Sequence, residues 1–166
     1  MKDEKWLSAN VPGSIHLDLL AHNIIPDPFF GKHEFELQWI SDRDWRYRVY
    51  FVPEKDLFLK NNIQLCFNGL DTYADIYLNQ KIIMSANNMF HPLETRVKDI
   101  LISGKNELIV HFRSPLNEVK DKMGSLGYIL PADNDRAGGT SPFTRKAAYQ
   151  YGWDWGPCMI TSGIWK

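Results

Sequence analysis

The chain has 166 residues and a net charge of -1, a length that suits one domain with a substantial hydrophobic core. Because the charge is nearly neutral and no basic stripe is present, nothing in the sequence indicates binding to nucleic acid or to an anionic membrane. It also contains no apolar run of about 18 residues that could form a transmembrane helix. The unusual quantity is the aromatic content of 13%, with six tryptophans, which is typical both of β-sheet cores and of ligand pockets.

The two cysteines and five histidines form no recognisable framework. Cys66 and Cys158 lie far apart and the histidines are scattered, so we predict no disulfide, no metal site and no cofactor. Cys66 lies in an alternating apolar run and is predicted to be a buried free thiol. The charged start of the chain does not resemble a signal peptide. The cellular location stays open, and a bacterial periplasmic or secreted location would require a leader before this sequence.

The N-terminal part, residues 6–30, is predicted to contain one short helix followed by turns. Ser14 can cap a helical turn over residues 15–20, where apolar residues share a face. The prolines that follow stop the helix. Phe29 and Phe30 are expected to anchor the next loop on the core.

From Trp45 onward apolar residues alternate with polar ones, which is the period of a β-strand. The predicted strands are 45–51, 63–67, 74–78, 81–84, 90–97 and 108–112. Asn79-Gln80 joins two of them as a hairpin, and residues 161–166 approach a further strand. Short strands separated by turn residues predict an all-β fold, an antiparallel β-sandwich or jelly roll.

A different pattern follows residue 112. Ser114 and Pro115 can begin a helix that ends near Gly124, and a long loop follows at 130–142, of the kind that often carries function. We see no internal boundary, so residues 1–166 are interpreted as a single domain. Both ends are abrupt, which predicts a piece of a longer protein, truncated at both ends. Unpaired sheet edges would then allow self-association through strand exchange.

Residues 145–157, R-K-A-A-Y-Q-Y-G-W-D-W-G-P, carry the most distinctive residue types. Trp153 and Trp155 flank Asp154 in what we call the W-D-W motif, and Gly152 and Gly156 bracket it. Indole rings stack on the C–H faces of sugars while charged groups bind hydroxyls, and the glycines allow turns that a Cβ would obstruct. The alternative is that the indoles are core aromatics and the acid caps a turn.

Other chemistry is weakly supported. No phosphate-binding loop, nucleophile elbow, dinucleotide fingerprint or metal-binding helix occurs. Asp133 and Asp135 fit a solvated turn better than a calcium loop, which would need a following glycine and glutamate. Asp133 with Asp135, or either of them with Asp154, could be imagined as a glycosidase acid pair, but nothing in the sequence fixes their separation.

Several motifs together resemble the N-terminal domain of β-mannosidases in glycoside hydrolase family 2. They are W-L-S-A-N-V-P-G-S-I-H-L-D-L-L and I-P-D-P-F-F within 6–30, D-W-R-Y-R at 44–48, N-G-L-D-T-Y-A-D-I-Y-L-N at 68–79, P-A-D-N-D-R at 131–136, S-P-F-T-R-K at 141–146, G-W-D-W-G-P at 152–157 and S-G-I-W at 162–165. P-A-D-N-D-R, S-P-F-T-R-K and G-W-D-W-G-P together are specific to the mannosidase branch. The stretch D-T-Y-A-D-I-Y-L-N at 71–79 alone would also fit β-galactosidases and β-glucuronidases.

The resemblance implies a galactose-binding-like jelly roll that precedes an immunoglobulin-like sandwich and a (β/α)₈ barrel. In the family the barrel carries the two catalytic glutamates of a retaining exo-β-mannosidase, so the resemblance implies no catalytic residue and no hydrolysis in this chain alone. The expected partners are a terminal β-mannoside of an oligosaccharide and the remaining domains of the same polypeptide.

The resemblance also implies the site residues. Asp154 and Trp155 are expected to touch the mannose next to the cleaved bond, and Arg145 to order that loop or reach the sugar. Packing is the preferred role for Trp153, Tyr149 and Tyr151. Two other interpretations stay open: a free-standing carbohydrate-binding module, and a structural domain whose W-D-W motif packs against a neighbouring domain.

Overall fold

The computed structural model describes residues 6–166, and strands dominate this part of the chain. The strands are Trp45–Phe51 (β1), Gln64–Phe67 (β2), Leu70–Asp71 (β3), Tyr73–Leu78 (β4), Lys81–Asn87 (β5), Leu93–Arg96 (β6), Asn106–Phe112 (β7) and Gly163–Ile164 (β8). The α-helices are Ile15–Ala21 (α1), His33–Glu36 (α2) and Pro115–Ser125 (α3). Between residues 6 and 166, no helix combines the length and apolar character needed to cross a membrane.

All the strand pairs are antiparallel. A four-stranded sheet has the order β1-β7-β4-β5, and two smaller sheets pair β2 with β6 and β3 with β8. The hairpin between β4 and β5 turns at Asn79 and Gln80, which both have positive φ, as a tight hairpin turn requires. The predicted hairpin is therefore confirmed, and the expected strand near residue 161 is β8.

One core joins the large sheet to the smaller ones, which makes the two layers of a sandwich. Ala74 and Ile76 of β4 and Phe112 of β7 are fully buried, and Phe67 and Leu70 from the smaller sheets pack in the same cluster. Alternation explains this arrangement because every second residue of a strand faces the same layer. The all-β antiparallel sandwich predicted from the sequence is confirmed.

Some local predictions were wrong. Cys66 is exposed because its neighbour Phe67 faces the core, so strand alternation places Cys66 on the outer side. Phe29 and Phe30 are exposed rather than anchored on the core. Ser14 precedes α1, but its side chain accepts no capping hydrogen bond. The cap at α3 is confirmed, since the Ser114 side chain accepts a hydrogen bond from the backbone of the first helical turn.

Candidate functional site

The W-D-W motif lies at the tip of a loop that the fold holds away from its core. An isolated antiparallel bridge joins Tyr151 to Cys158, and residues 151–158 between and including them are called the W-D-W loop below. Asp154 is exposed, and Trp153 and Trp155 are 51% and 80% exposed. The tip therefore presents one carboxylate and two indoles to the surroundings of the domain.

The backbone of this loop takes an uncommon conformation. Gly152 has a φ of 97°, while Asp154 and Trp155 have φ values of 62° and 56°. A non-glycine residue in the left-handed region costs about 1–2 kcal/mol. Such residues persist only where the surrounding structure fixes them, so the contacts that hold the loop are part of the site.

The two bracketing glycines are not equivalent. A Cβ at Gly152 would lie 2.9 Å from the carbonyl oxygen of Asn134, in the long loop at 130–142. Gly156 has an ordinary φ of -68°, and its Cβ would come no closer than 3.7 Å to another atom, the carbonyl oxygen of Trp153. The prediction that a Cβ would obstruct the turn is confirmed at Gly152 and wrong at Gly156.

An outer set of polar contacts ties the loop to helix α2 and to the 3-10 turn that follows it. Glu34 Oε1 accepts a hydrogen bond from the Cys158 backbone N–H at 2.7 Å and pairs with the Arg136 guanidinium at 2.6 Å. The Arg136 backbone N–H in turn donates to the Tyr151 carbonyl oxygen at 3.2 Å, and Gln38 Nε2 donates to the Cys158 carbonyl oxygen at 2.7 Å. These contacts hold the two residues that close the loop.

An inner set of polar contacts is deeply buried. The Lys146 ammonium donates to Asp71 Oδ1 at 2.5 Å and to the Thr161 carbonyl oxygen at 2.6 Å. Gln150 Nε2 donates to Asp71 Oδ2 at 2.8 Å, and Gln150 Oε1 accepts from the Thr161 backbone N–H at 3.1 Å. The Lys146 and Asp71 side chains are 0% and 4% exposed. Burial lowers the pKa of the Lys146 ammonium, and the Asp71 carboxylate opposes that shift.

Arg145, the third predicted site residue, is exposed. Its carbonyl oxygen accepts a hydrogen bond from the Met89 backbone N–H at 3.0 Å, but its guanidinium has no hydrogen-bond or ion-pair partner within residues 6–166. The side chain next to it, Lys146, makes the contacts that hold the loop. Sugar binding by Arg145 stays a prediction.

A mostly apolar groove of about 770 Å³ runs beside the loop, with Gly156 and Pro157 on its edge. Asp154 and Trp155 do not line it. Tyr149, which was predicted to pack, is exposed at its rim, whereas Tyr151 is buried as expected. Leu17, Phe29, Phe90 and Trp165 also line the groove.

His16 lies in the wall of this groove. Burial, together with the nearby Lys146 charge, lowers the pKa of His16 from 6.5 to about 4. Its Nδ1 atom is buried and has no hydrogen-bond partner in the part of the chain that the structure describes. The same residues, 6–166, contain no group of three or more His, Cys, Asp or Glu side chains placed to hold a metal ion.

Asp135 has a structural use. Its two carboxylate oxygens accept hydrogen bonds from the backbone N–H groups of Ala137 and Ser141, both at 2.7 Å. These bonds fold the long loop on itself, against which Gly152 packs. Because both oxygens are engaged, Asp135 is a poor candidate for one member of a catalytic acid pair.

Comparison with known proteins places this geometry in a family. The family described as "Glycosyl hydrolase 2 galactose-binding domain-like" matches residues 1–166. The chain belongs to this family. A crystal structure of β-D-mannosidase from Dictyoglomus thermophilum is 45% identical to it and superposes with a TM-score of 0.93, covering 99% of this chain and 20% of that one. The galactose-binding-like fold implied by the resemblance is therefore confirmed.

Curated relatives agree with the structural comparison. "Beta-mannosidase B" from Thermothelomyces thermophilus is 36% identical over 173 residues, which cover 99% of this chain and 19% of the relative. A "probable beta-mannosidase" from Caenorhabditis elegans is 32% identical over 166 residues, which cover 95% of this chain and 18% of the relative. The chain thus spans about a fifth of the length of these relatives.

The supporting residues of this galactose-binding-like domain were missed by the sequence analysis. Lys146 stood out in no sequence pattern of its own, because its partner Asp71 is 75 positions away. Glu34 and Cys158 are 124 positions apart. The only available signal was that Lys146 and Asp71 both belong to motifs of the β-mannosidase resemblance.

Proposed function

We propose that residues 1–166 form a single domain, the non-catalytic N-terminal domain of a retaining exo-β-mannosidase that hydrolyses terminal β-D-mannose residues. The proposal is supported by the family membership and by relatives named as β-mannosidases in a bacterium, a fungus and a nematode. The two catalytic glutamates of such a mechanism would lie on a downstream (β/α)₈ barrel. We therefore expect no turnover of a nitrophenyl β-mannoside by this chain alone.

The observation that carries the proposal is the exposed, tightly held tip of the W-D-W loop. Asp154 offers carboxylate oxygens that can accept hydrogen bonds from sugar hydroxyls. The indole of Trp155 offers an open aromatic face for the C–H side of a pyranose. Both residues are exposed, so neither is engaged in the core of its own domain.

The test is made in the full-length polypeptide that carries this domain. Asp154→Ala should lower kcat/KM for a β-mannoside on the order of 100-fold, because a hydrogen bond to a charged group contributes about 1.5–3 kcal/mol. Trp155→Ala should also lower kcat/KM. Asp121→Ala, at an exposed position of α3, is the matched control and should leave kcat/KM unchanged. Wild-type kinetics of Asp154→Ala, with the fold intact, would rule out the sugar contact.

A structural role is the second candidate, and one observation favours it. Trp153, Trp155 and Tyr149 are exposed beside an apolar groove, as expected of a surface that packs against a neighbouring domain. In that case Asp154→Ala leaves kcat and KM unchanged, while Trp155→Ala lowers the thermal stability of the full-length polypeptide. The two variants together therefore separate sugar contact from packing.

A further inference from the structure

The two segments that enter and leave the W-D-W loop meet at one buried ion pair. Lys146 and Gln150 lie on the entering segment, Thr161 lies on the leaving segment, and Asp71 belongs to β3 in the sheet beneath them. The Lys146 ammonium contacts both Asp71 and Thr161, and the Gln150 side chain does the same. Two side chains thus each bridge the sheet to the far end of the loop.

We propose that Lys146, Asp71 and Gln150 are positioning residues that fix the W-D-W loop in its sugar-contacting orientation. This inference rests on the proposed function. We call these three residues the positioning cluster. They act through the backbone of the loop, because the cluster is buried whereas Asp154 and Trp155 are exposed at its tip.

The type of interaction supports a geometric role. A buried ion pair is a weak source of stability, since apolar residues of similar volume often stabilise a fold as well or better. Its hydrogen bonds are directional, however. The Lys146 ammonium has three donors, and it uses them on Asp71 Oδ1, on the Thr161 carbonyl oxygen and, at 3.5 Å, on Thr72 Oγ1. An apolar side chain could fill this space without fixing the Thr161 backbone.

The backbone of the loop needs such fixing. Asp154 and Trp155 are consecutive non-glycine residues with positive φ, a conformation that persists only where neighbouring structure over-determines it. The Gln150 side chain is attached one residue before the Tyr151–Cys158 bridge, and Thr161 follows that bridge by three residues. Loosening the cluster would free both ends of the loop at once.

The decisive experiment is a double-mutant cycle in the full-length polypeptide, measured as kcat/KM for a β-mannoside. The pair Lys146→Met with Asp71→Asn removes both buried charges together, so that neither is left unpaired. Gln150→Met removes two hydrogen bonds and no charge, and carries the test if the pair variant does not fold. Each is measured with and without Asp154→Ala.

If the cluster acts through the loop, either variant should lower kcat/KM about tenfold in the wild-type background, and only about threefold when Asp154→Ala has already removed one of the two sugar contacts. A purely structural role predicts equal losses in both backgrounds, and that result, or no loss at all, would overturn the inference. As a control, Tyr47→Phe with Asp18→Asn removes a buried 2.8 Å hydrogen bond between β1 and α1. It should lower thermal stability without changing kcat/KM.

Amide hydrogen exchange separates the failure of this inference from that of the proposed function. In the pair variant, the amides of Gly152 and Cys158, which are hydrogen-bonded in the native loop, should exchange at least about tenfold faster while those of β4 and β7 keep their protection. Unchanged exchange at these two amides overturns the positioning role whatever the kinetics show. If exchange becomes faster but Asp154→Ala has wild-type turnover, the proposed sugar contact is wrong. The role of the positioning cluster in orienting that contact is then wrong as well.

Discussion

Replacing Gly152 with alanine isolates the part of the W-D-W loop that depends on a left-handed backbone. With a φ of 97°, an alanine there would incur about 1–2 kcal/mol of backbone strain. Its Cβ would also lie 2.9 Å from the Asn134 carbonyl oxygen. Because that oxygen belongs to the backbone, the loop must shift, and overpacking of this kind costs about 1–3 kcal/mol. We expect Gly152→Ala to destabilise the domain by about 2–5 kcal/mol.

Gly156→Ala is the matched control. With a φ of -68° and no atom within 3.7 Å of the added Cβ, an alanine is compatible with the native backbone. It should stabilise the domain by about 0.4–1 kcal/mol, because it restricts the unfolded chain more than glycine does. The same chemical change at the two ends of one motif therefore has opposite expected signs.

Urea unfolding followed by tryptophan fluorescence measures the difference. With an m-value of about 2 kcal/mol per molar urea, a difference of 3 kcal/mol separates the two midpoints by about 1.5 M. If the loop shifts locally instead, the amides of residues 152 and 158 in Gly152→Ala lose their protection from hydrogen exchange, while the midpoint of unfolding changes little. Equal midpoints together with equal protection in the two variants would refute the structural reasoning.

Two further predictions concern buried titratable groups. Because the pKa of His16 is lowered from 6.5 to about 4, the unfolded chain binds the proton preferentially, and His16 should cost about 3 kcal/mol of unfolding free energy as the pH falls from 6.5 to 4. A His16→Met variant should lose that part of the acid sensitivity, and identical pH profiles would contradict the burial argument. Cys66 is exposed, whereas burial raises the pKa of the Cys158 thiol to about 11. A thiol reagent should therefore label Cys66 in the native protein and Cys158 only on unfolding, and rapid labelling of both would show that the second thiol is accessible.

The strands were predictable because their side chains obey a period of two and one face is buried. Ile76 of β4 and Val110 of β7 are adjacent in the register and both face the core, which is what the alternation at 74–78 and 108–112 predicts. The same rule, applied strictly, also places Cys66 opposite Phe67 and so outside the core. The prediction for Cys66 failed because its apolar neighbourhood was weighed above its position in the alternation.

The burial of loop side chains could not be predicted in this way. Phe29 and Phe30 follow no strand or helix period, so nothing in the sequence shows which neighbours would cover them, and in the structure they are exposed. The positioning cluster was hidden for a related reason. Lys146 follows Arg145 directly, yet Lys146 is buried and Arg145 is exposed. What distinguishes them is the contact of Lys146 with Asp71 of β3, which is 75 positions away in the sequence.

The energetics of the W-D-W loop favour a partner outside this domain. The consecutive left-handed residues Asp154 and Trp155 cost about 1–2 kcal/mol each. The indoles of Trp153 and Trp155 remain 51% and 80% exposed, so their burial within the domain offsets little of that cost. The stabilising contacts are instead made at the base of the loop, by Lys146 and Glu34. The loop is strained, its base is fixed by buried contacts and its tip is exposed. The strain is therefore offset only when another molecule or domain contacts the tip. Backbone strain at an exposed acid between two indoles is therefore evidence for a binding role, independent of the names of the relatives.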